Sequence, residues 1–418
     1  MLSRKAYLEN EWSRYPTKPK AHDQAGQVVS CANGLLVLLT PASTKLELTV
    51  DLIWCERLRP YDWVSCLTEN QKVMELCLLS PNLRGPAVAK VSAESLQLTG
   101  EWTEFLTHVR SFFRERSFYE IQTPTLVPCP GTEPFLDVFS TEFQMGQTRE
   151  RLYLPTSPEL HLKKALAMGV PKLFEVRPCF RNGEISATHQ PEFWMLEWYQ
   201  SFVNLGQIKQ DLEELIRYLI EKMGLAINFA QPRTRSLRDL FGEFCGFHLK
   251  PETEAHELAE LAHRLGLQLG SGGEQDLSFD DLFYFLFLEK IETKLEAWGP
   301  LYVEKYPPSQ AALARLTTDG WGDRFEFYWQ GFEIANAFHE LNDPALQRQR
   351  AQEDLAKKVE VNKLAVSLDE EFFEALEGGM PPSAGIALGL ERLFLAIKYF
   401  DRQKPDLGRL RLFPKKSN

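Results

Sequence analysis

The sequence lacks the glycine-rich signatures by which most nucleotide-binding proteins hold phosphate. Neither a G-x-x-x-x-G-K-[ST] loop nor a dinucleotide-binding fingerprint occurs among its 418 residues. No apolar run is long enough to span a bilayer, and the polar first residues carry no secretory signal. We therefore expect a cytoplasmic protein in which any phosphate is held by another arrangement.

Cysteine is scarce and irregularly spaced. The seven cysteines are odd in number and include no C-x-x-C pair. This disfavours a disulfide framework or a cysteine metal site, and buried thiols in a reducing compartment are the simpler interpretation. Internal repeats and low-complexity tracts are also absent.

Positive charge is in deficit, since the formal net charge is -11. No overall positive field attracts nucleic acid or an anionic membrane, so an anionic ligand needs a local site. The hydrophobic fraction of 44% and the charged fraction of 25% are typical of a globular protein. The length suits two domains.

Five short apolar segments, separated by turn signals, follow one another from about Gly26 to Leu79. Their spacing is typical of a small antiparallel barrel, and the third is expected to stay extended through Trp54. Residues 1–84 are therefore predicted to form a β-rich, OB-like domain. Residues 85–100, rich in Pro, Ser and Ala, are predicted to be a linker.

A different pattern begins at about Glu101 and predicts an α+β domain over residues 101–418, largely helical over about 205–298. Two apolar strands flank the loop NGEISATHQ, and a later hairpin runs through DRFEFYWQGFEIANAFHEL. The charged helix that follows, RQRAQEDLAKKVEVNKLA, is most simply a solvent-exposed face.

The most informative segment is FRNGEISATHQPEFWMLEWY, residues 180–199. Arg181 can place a forked guanidinium on a phosphate, His189 can meet a second phosphate, and Phe193 can stack on a base. Ionisable groups clustered among aromatics favour a site for a charged ligand over a plain pair of strands.

Two acids lie seven residues apart in RFEFYWQGFE. A hairpin could bring Glu326 and Glu333 to one end, where their oxygens suit Mg²⁺ held jointly with substrate phosphates. Outward-facing strand charge explains the spacing equally well. The neighbouring Asn336, Phe338 and Glu340 favour a site.

These segments also carry a resemblance to class II aminoacyl-tRNA synthetases. FFRERSFYEIQTPTLV resembles motif 1, FR followed by HQPEF resembles motif 2, and GIALGLERL resembles motif 3, in that order. TSPELHLKKAL and FEIANAFHELND are similar to the lysine-specific branch. YPPSQAALARL and GGMPPSAGIALGLERL resemble the elongation factor P–(R)-β-lysine ligase family, a truncated lysyl-tRNA synthetase paralogue. The likeness covers about Glu101 to Tyr399 and omits the barrel-like region, which that family typically lacks.

The resemblance implies an antiparallel sheet flanked by helices, commonly dimeric through motif 1, that uses ATP and Mg²⁺. It implies catalytic roles for Arg181, His189 and Arg392, and a metal site at Glu326 and Glu333. The implied ATP site comprises Arg181, Glu184, His189, Phe193, Glu326 and Arg392, with adenine between Phe193 and Arg392.

The resemblance also implies a pocket for a diamino acid. Its residues are Glu159, Glu197, Tyr199, Asn336, Phe338, Glu340 and Ala387. Glu159 would bind the backbone-end amine, Asn336 the carboxylate, and Glu340 with Tyr199 the side-chain ammonium. Two cationic groups on the substrate explain why acids outnumber bases there, because a desolvated ammonium needs a paired carboxylate.

Several positions depart from the related patterns, among them Ala187-Thr188 and Gln190 in the motif 2 loop and Glu391 in motif 3, where aspartate is common, and two further ones bear on the pocket. Gly183 stands where motif 2 usually has glutamate, and Glu184 follows one residue later. Ala387 occupies a position that is glycine in lysyl-tRNA synthetases and alanine in the ligases. One methyl group can shift discrimination by about 1 to 3 kcal/mol, which favours β-lysine, although neutral packing also explains an alanine.

The leading hypothesis is ATP-dependent activation of (R)-β-lysine or lysine as an aminoacyl-adenylate, followed by ligation to a lysine side chain of elongation factor P. The alternative is a lysyl-tRNA synthetase that uses the barrel to bind tRNA. Against it, acids and bases are nearly balanced in the barrel region, whereas a nucleic-acid face usually shows a basic stripe. The second alternative is a non-catalytic regulatory protein derived from a synthetase.

Overall fold

The structure is a computed structural model that describes residues 24–410 except 43, 81, 83–92, 270–276, 312, 362 and 401–406. Half of the predicted linker, residues 85–92, and residues 411–418 of the basic C-terminal segment therefore lie outside the described residues. The chain divides into two compact units at about Glu101. Within the described ranges, no helix has the length and apolar character needed to cross a membrane.

The N-terminal unit contains a closed five-stranded barrel, as predicted. Its strands are β1 (Gln24–Ala32), β2 (Leu35–Leu39), β3 (Lys45–Thr49), β4 (Trp63–Glu69) and β5 (Lys72–Ser80). They follow the order β1-β2-β3-β5-β4, and β4 pairs back with β1. The predicted barrel was antiparallel, which is correct for the other pairs, but β3 pairs with β5 in parallel. Alternate residues such as Leu36, Leu38, Val64 and Cys66 point into the barrel and are fully buried.

The third predicted strand is shorter than expected. Residues Leu52–Arg57 form helix α1 instead of extending β3. The pairing of β2 with β3 ends where Leu35 meets Thr49, so the chain beyond has no β2 partner. Local hydrogen bonds, such as that from Trp54 N to Asp51 O at 2.9 Å, take over from there.

The second unit is built on an eight-stranded sheet, which confirms the predicted class II-like architecture. In chain order the strands of this unit are β6 (Tyr119–Glu120), β7 (Phe139–Met145), β8 (Thr148–Leu154), β9 (Lys172–Phe180), β10 (Glu192–Ser201), β11 (Arg233–Ser236), β12 (Leu301–Tyr306), β13 (Gly322–Trp329), β14 (Phe332–His339) and β15 (Ser383–Gly389). The large sheet runs β11-β12-β13-β14-β15-β10-β9-β6, and β7 with β8 forms a separate hairpin. Only the two edge pairs of the large sheet, β11 with β12 and β6 with β9, are parallel.

Helices flank this sheet. They are α2 (Ala93–Glu115), α3 (Glu159–Ala167), α4 (Leu205–Lys222), α5 (Leu237–Cys245), α6 (Ala255–Arg264), α7 (Phe279–Leu286), α8 (Pro344–Glu360), α9 (Glu370–Glu377) and α10 (Leu390–Lys398). Helix α7 continues through a π-helical turn, Phe287–Glu292. Helix α2 begins at Ala93, inside the predicted linker.

Helix α2 covers the back of the sheet. Its apolar residues recur with helical spacing, and Phe105, Val109 and Phe113 are fully buried. Phe113 lies 4.8 Å from Phe174 and 5.2 Å from Trp198, measured between ring centroids. Since side chains alternate along a strand, the residues next to Phe174 and Trp198 face the opposite side.

Helix α8 is not simply the solvent-exposed face that its charges predict. Lys358 is fully buried, and its Nζ donates to the backbone carbonyls of Glu133 and Leu136, at 2.8 Å each. The expectation is therefore wrong for this side of the helix. A buried ammonium here is stabilised by the carbonyl oxygens of a loop.

Candidate active site

Strand register collects the site on one face of the sheet. Glu197 pairs with Ala387, Ala387 with Asn336, and Asn336 with Glu326. Directly paired residues project to the same side of a sheet. Two residues farther along each strand, a second row on this face contains Tyr199, Gly385, Phe338 and Arg324.

An irregularity in β14 decides which residues join this face. Tyr328 pairs with Glu333 but Phe327 pairs with Ala335, which leaves Ile334 as an extra residue. Such a bulge shifts the alternation by one position. Glu333 and Asn336 therefore lie on the same face, although regular alternation would put them on opposite faces.

A cavity of about 590 Å³ lies over this face. This volume is typical of small-molecule sites. All of the sequence-predicted site residues line it except Glu340, which lies buried behind the wall. The lining residues are Glu159, Arg181, Glu184, His189, Phe193, Glu197, Tyr199, Glu326, Glu333, Asn336, Phe338, Ala387 and Arg392.

His189 and Arg392, which come from motifs far apart in the sequence, meet at one end of the cavity. Arg392 Nη2 donates to His189 Nε2 over 2.9 Å, and His189 Nδ1 lies 3.0 Å from Ser186 Oγ. Burial and the neighbouring guanidinium lower the pKa of His189. Because an arginine can only donate, Nε2 accepts, and the neutral ring carries its proton on Nδ1. Arg392 also donates to the backbone carbonyl of Glu333 at 2.8 Å.

A helix-to-strand contact positions Arg392. Glu391, the adjacent residue on α10, accepts the backbone N–H of Trp194 with both carboxylate oxygens at 2.9 Å. This contact ties the start of α10 to β10. The Glu391 carboxylate thus binds a backbone N–H of the protein itself. The contact holds the neighbouring Arg392 beside the cavity.

Arg181 lies against the aromatic ring predicted to stack on a base. Its Cζ is 5.0 Å from the ring centroid of Phe193. Its Nε is buried and has no hydrogen-bond partner among the described residues. A guanidinium that lines a cavity and has an unused donor is suited to receiving an anionic ligand.

The loop geometry explains the glycine in motif 2. Gly183 has φ of +81°, a left-handed conformation that glycine adopts at little cost. It follows Asn182, whose backbone N–H donates to Asp137 O at 2.9 Å. After this turn Glu184 lines the cavity, so the carboxylate reaches the site from one position later.

Two acids occupy the wall near Arg392, and each has a cationic neighbour, since Glu333 Oε2 lies 3.7 Å from Arg392 Nη1. Glu326 contacts Arg324 Nη2 and accepts from the Tyr328 hydroxyl at 2.6 Å. Burial and repulsion from Glu326 raise the pKa of Glu333 to about 7. In the part of the chain that the structure describes, no group of three His, Cys, Asp or Glu side chains could hold a metal ion by itself. The pair thus offers two carboxylates, to which other ligands must be added.

Sequence reasoning missed Arg324. It is 5% exposed, and its Cζ lies 4.1 Å from the ring centroid of Tyr306 and 5.3 Å from that of Phe338. Nη1 donates to Gln310 O at 2.6 Å. The only sequence signal was its position two residues before Glu326, which puts both on one strand face.

A second group of acids lies at the other end of the cavity. Glu197 is fully buried, and its Oε2 accepts from the Tyr199 hydroxyl at 2.8 Å. Burial and repulsion from Glu159 raise the pKa of Glu197 well above its usual range. The other oxygen, Oε1, is buried without a hydrogen-bond partner in the described ranges. An unused acceptor beside other carboxyls is suited to a cationic ligand.

Lys163 was also missed by sequence reasoning. It links Glu159 and Glu340, the two acids that the resemblance implies for binding the amines of a diamino acid. Its fully buried Nζ lies 2.6 Å from Glu159 Oε1 and 2.5 Å from Glu340 Oε2. Burial raises the pKa of Glu340 to about 8, although the ammonium acts in the opposite direction. The spacing of four residues between Glu159 and Lys163 was the available signal.

Gly385 lets Tyr199 lie directly on the backbone of β15. A Cβ at Gly385 would fall 2.1 and 2.2 Å from two carbons of the Tyr199 ring and 2.8 Å from Glu340 Oε1. These separations are far below van der Waals contact. The absence of a side chain at Gly385 therefore shapes the acidic end of the cavity.

Comparison with known proteins agrees with this architecture. The family model for class II tRNA synthetases of the D, K and N type matches residues 90–417. A protein of Haemophilus influenzae (strain PittGG) named elongation factor P–(R)-β-lysine ligase is 35% identical over 297 residues, which are 70% of this chain and 88% of that protein. Proteins with the same name from Vibrio vulnificus and Edwardsiella ictaluri are 36% and 34% identical, over 69% of this chain and 88% and 87% of their own lengths.

Proposed function

Because this chain belongs to the elongation factor P–(R)-β-lysine ligase family of class II synthetase-like proteins, we propose that it activates (R)-β-lysine or lysine with ATP. The activated acyl group then passes to a lysine side chain of elongation factor P. The observation that carries the proposal is the acidic end of the cavity, where Glu159, Glu197 and Glu340 meet around one buried lysine.

The charge at this end suits a substrate with two ammonium groups. Glu197 and Glu340 have raised pKa values because burial disfavours their charged forms. Because Lys163 already pairs with Glu340, a cationic substrate would act mainly on Glu197, supplying its counter-charge and favouring its ionisation. The side-chain amide of Asn336 would donate to the substrate carboxylate, and its oxygen, which is buried without a partner among the described residues, would accept from a substrate ammonium.

The opposite end suits the triphosphate of ATP. Arg181, His189 and Arg392 line this end of the cavity, and Arg181 has an unused donor. The Phe193 ring would stack on adenine. Glu184, which lines the same end, would accept from the base.

The pair Glu326 and Glu333 fits Mg²⁺ shared with phosphate oxygens. Like-charge repulsion raises the pKa of Glu333, and a divalent cation would remove that cost. The ion would supply charge neutralisation for the phosphates when it is bound. Arg324 and Tyr328 hold Glu326 in place beforehand.

The first step joins the two ends of the cavity. A carboxylate oxygen of the amino acid attacks the α-phosphorus, the bond to the bridging oxygen breaks, and pyrophosphate leaves with the electron pair. Arg181 would stabilise the negative charge that develops on the α-phosphate. The product is an aminoacyl-adenylate, from which the acceptor amine displaces AMP.

The barrel supports a second candidate, the charging of tRNA with lysine. Its five strands close in a single small barrel, an architecture that often binds oligonucleotides. A homodimer formed through motif 1 is compatible with either function.

The test measures each half-reaction separately. Pyrophosphate exchange into ATP is expected with (R)-β-lysine or lysine, followed by transfer of label to elongation factor P. Transfer to tRNA instead would favour the synthetase candidate. Absence of exchange with both amino acids would reject both enzymatic functions and leave a non-catalytic role.

A further inference from the structure

One cavity acid, Glu133, lies outside the two clusters used above. It belongs to the loop between β6 and β7 and lines the cavity together with Pro134 and Phe135. Its Oε1 lies 3.2 Å from Thr156 Oγ1. Its Oε2 is buried and has no hydrogen-bond partner in the described part of the chain.

The backbone around Glu133 is shaped to receive this carboxyl group. Gly131 has φ of +124°, and a Cβ there would lie 2.2 Å from Glu133 Oε2. The loop itself is held by Lys358, which donates to the backbone carbonyls of Glu133 and Leu136. Because the anchor uses carbonyl groups, the loop does not need the Glu133 carboxylate to hold it.

The hydroxyl of Thr156 limits which hydrogen bonds the Glu133 carboxyl group can make. Thr156 Oγ1 lies 3.1 Å from Pro130 O as well as 3.2 Å from Glu133 Oε1, but a hydroxyl has only one proton to donate. If Thr156 donates to Pro130, only a protonated Glu133 can donate to Thr156. In that arrangement the proton of Glu133 lies on Oε1, which faces the Thr156 hydroxyl.

Charged groups from several elements face Glu133. Burial raises its pKa and repulsion from Glu159 adds to the shift, whereas Arg181 and Lys358 act in the opposite direction. Asp354 of α8 and Cys129 of the same loop also interact with it. Glu159 and Arg181 belong to the two ends of the proposed substrate site, so Glu133 lies within electrostatic reach of both.

We propose that Glu133 forms the binding site for the acceptor's primary ammonium and takes a proton from it. This inference rests on the proposed function, in which a lysine amine accepts the acyl group. An ammonium has no lone pair for attack, so it must lose a proton first. A buried carboxylate with one unused oxygen can bind the cation and accept that proton.

The transfer step balances as follows. The ammonium gives one proton to the Glu133 carboxylate, and the neutral nitrogen attacks the acyl carbon of the adenylate. The carbon–nitrogen bond forms, the carbon–oxygen bond to phosphate breaks, and AMP leaves with the electron pair. The second proton lost from nitrogen goes to AMP or water, and Glu133 returns its proton to solvent.

The variant Glu133→Gln separates this role from a structural one. Pyrophosphate exchange should stay within about twofold of wild type, while single-turnover transfer from preformed adenylate to elongation factor P should slow about 100-fold or more. Because the variant then depends on acceptor amine that is already uncharged, and this fraction grows with pH, its transfer rate should rise more steeply with pH than that of wild type. Glu150→Gln, which alters an exposed acid on β8, is the matched control and should leave both half-reactions unchanged.

Hydroxylamine provides a second readout because it is mostly uncharged at neutral pH and needs no proton removed before attack. Formation of the hydroxamate by Glu133→Gln should match wild type. Unchanged transfer to elongation factor P in this variant would overturn the inference, as would equal loss of exchange and transfer. Failure of the wild-type protein to modify elongation factor P would instead reject the proposed function.

Discussion

Replacing Gly385 with alanine tests how the acidic end of the cavity is built. The added methyl group would overlap two carbons of the Tyr199 ring, at 2.1 and 2.2 Å. Carbon atoms make favourable contact at about 3.5 to 4.0 Å, so the ring must move by more than about 1 Å. Tyr199 is only 3% exposed, and its hydroxyl is bonded to Glu197. The ring therefore cannot move without breaking that contact or displacing its packed neighbours.

The expected penalty follows from overpacking. Inserting a methyl group into a well-packed region costs about 1 to 3 kcal/mol. If this cost falls on the bound state, the KM for the amino acid rises about 5- to 150-fold. If it falls on folding, the free energy of unfolding decreases by the same amount. Pyrophosphate exchange and denaturant unfolding measure the two quantities.

Gly389→Ala is the matched control on the same strand. A Cβ at Gly389 would lie 3.5 Å from Arg392 Cδ, which is an ordinary contact with a flexible side chain. We expect this variant to keep wild-type stability and a wild-type KM for the amino acid. Unchanged stability and KM in Gly385→Ala would refute the proposed contact between Tyr199 and the β15 backbone.

Three further predictions concern the buried charges and the pocket floor. Lys163→Met should lower the free energy of unfolding by about 3 to 5 kcal/mol, because it leaves the buried Glu340 and the partly buried Glu159 without their cation. Glu340→Gln should cost less, because Lys163 stays paired with Glu159, and equal losses in denaturant unfolding would contradict this. Ala387→Gly should relax selectivity toward α-lysine in pyrophosphate exchange, and an unchanged ratio of kcat/KM for the two amino acids would reject that role. Burial raises the pKa of Asp354 to about 7, so the stability that its protonated form contributes is lost as pH rises through that value. Between pH 5 and pH 8, Asp354→Asn should therefore lose less stability than wild type, by about 1 to 2 kcal/mol. Parallel curves of stability against pH for the two proteins would contradict the shift.

Much of the fold could be predicted from local pattern. Apolar alternation located the barrel strands and the two strands of motif 2, and helical periodicity located α2. The prediction of the third barrel strand was wrong at its C-terminal end. Residues Leu52–Arg57 form a helix there because β3 no longer pairs with β2. Propensity alone does not record how long the neighbouring strand is.

The candidate site was predictable in its residue types but not in its connections. Lys163 and Arg324 were missed because nothing in local sequence shows that Glu340 or Phe338 lies beside them. Glu133 was missed for the same reason, since it belongs to an irregular loop without periodicity. Burial and the meeting of distant segments decide the pKa shifts of such groups.

The sequence by itself determined the class of the protein, through three ordered motifs that also carry the arginines, histidine and acids on which the proposed chemistry depends. Only the tertiary structure decided which of these groups share a surface. The bulge at Ile334 rotates Glu333 and Asn336 onto one face, and the strand order brings β10, β14 and β15 together beneath the cavity. Side-chain direction depends on pairing between segments far apart in the chain, and that information exists only when the strands have been assembled into a sheet.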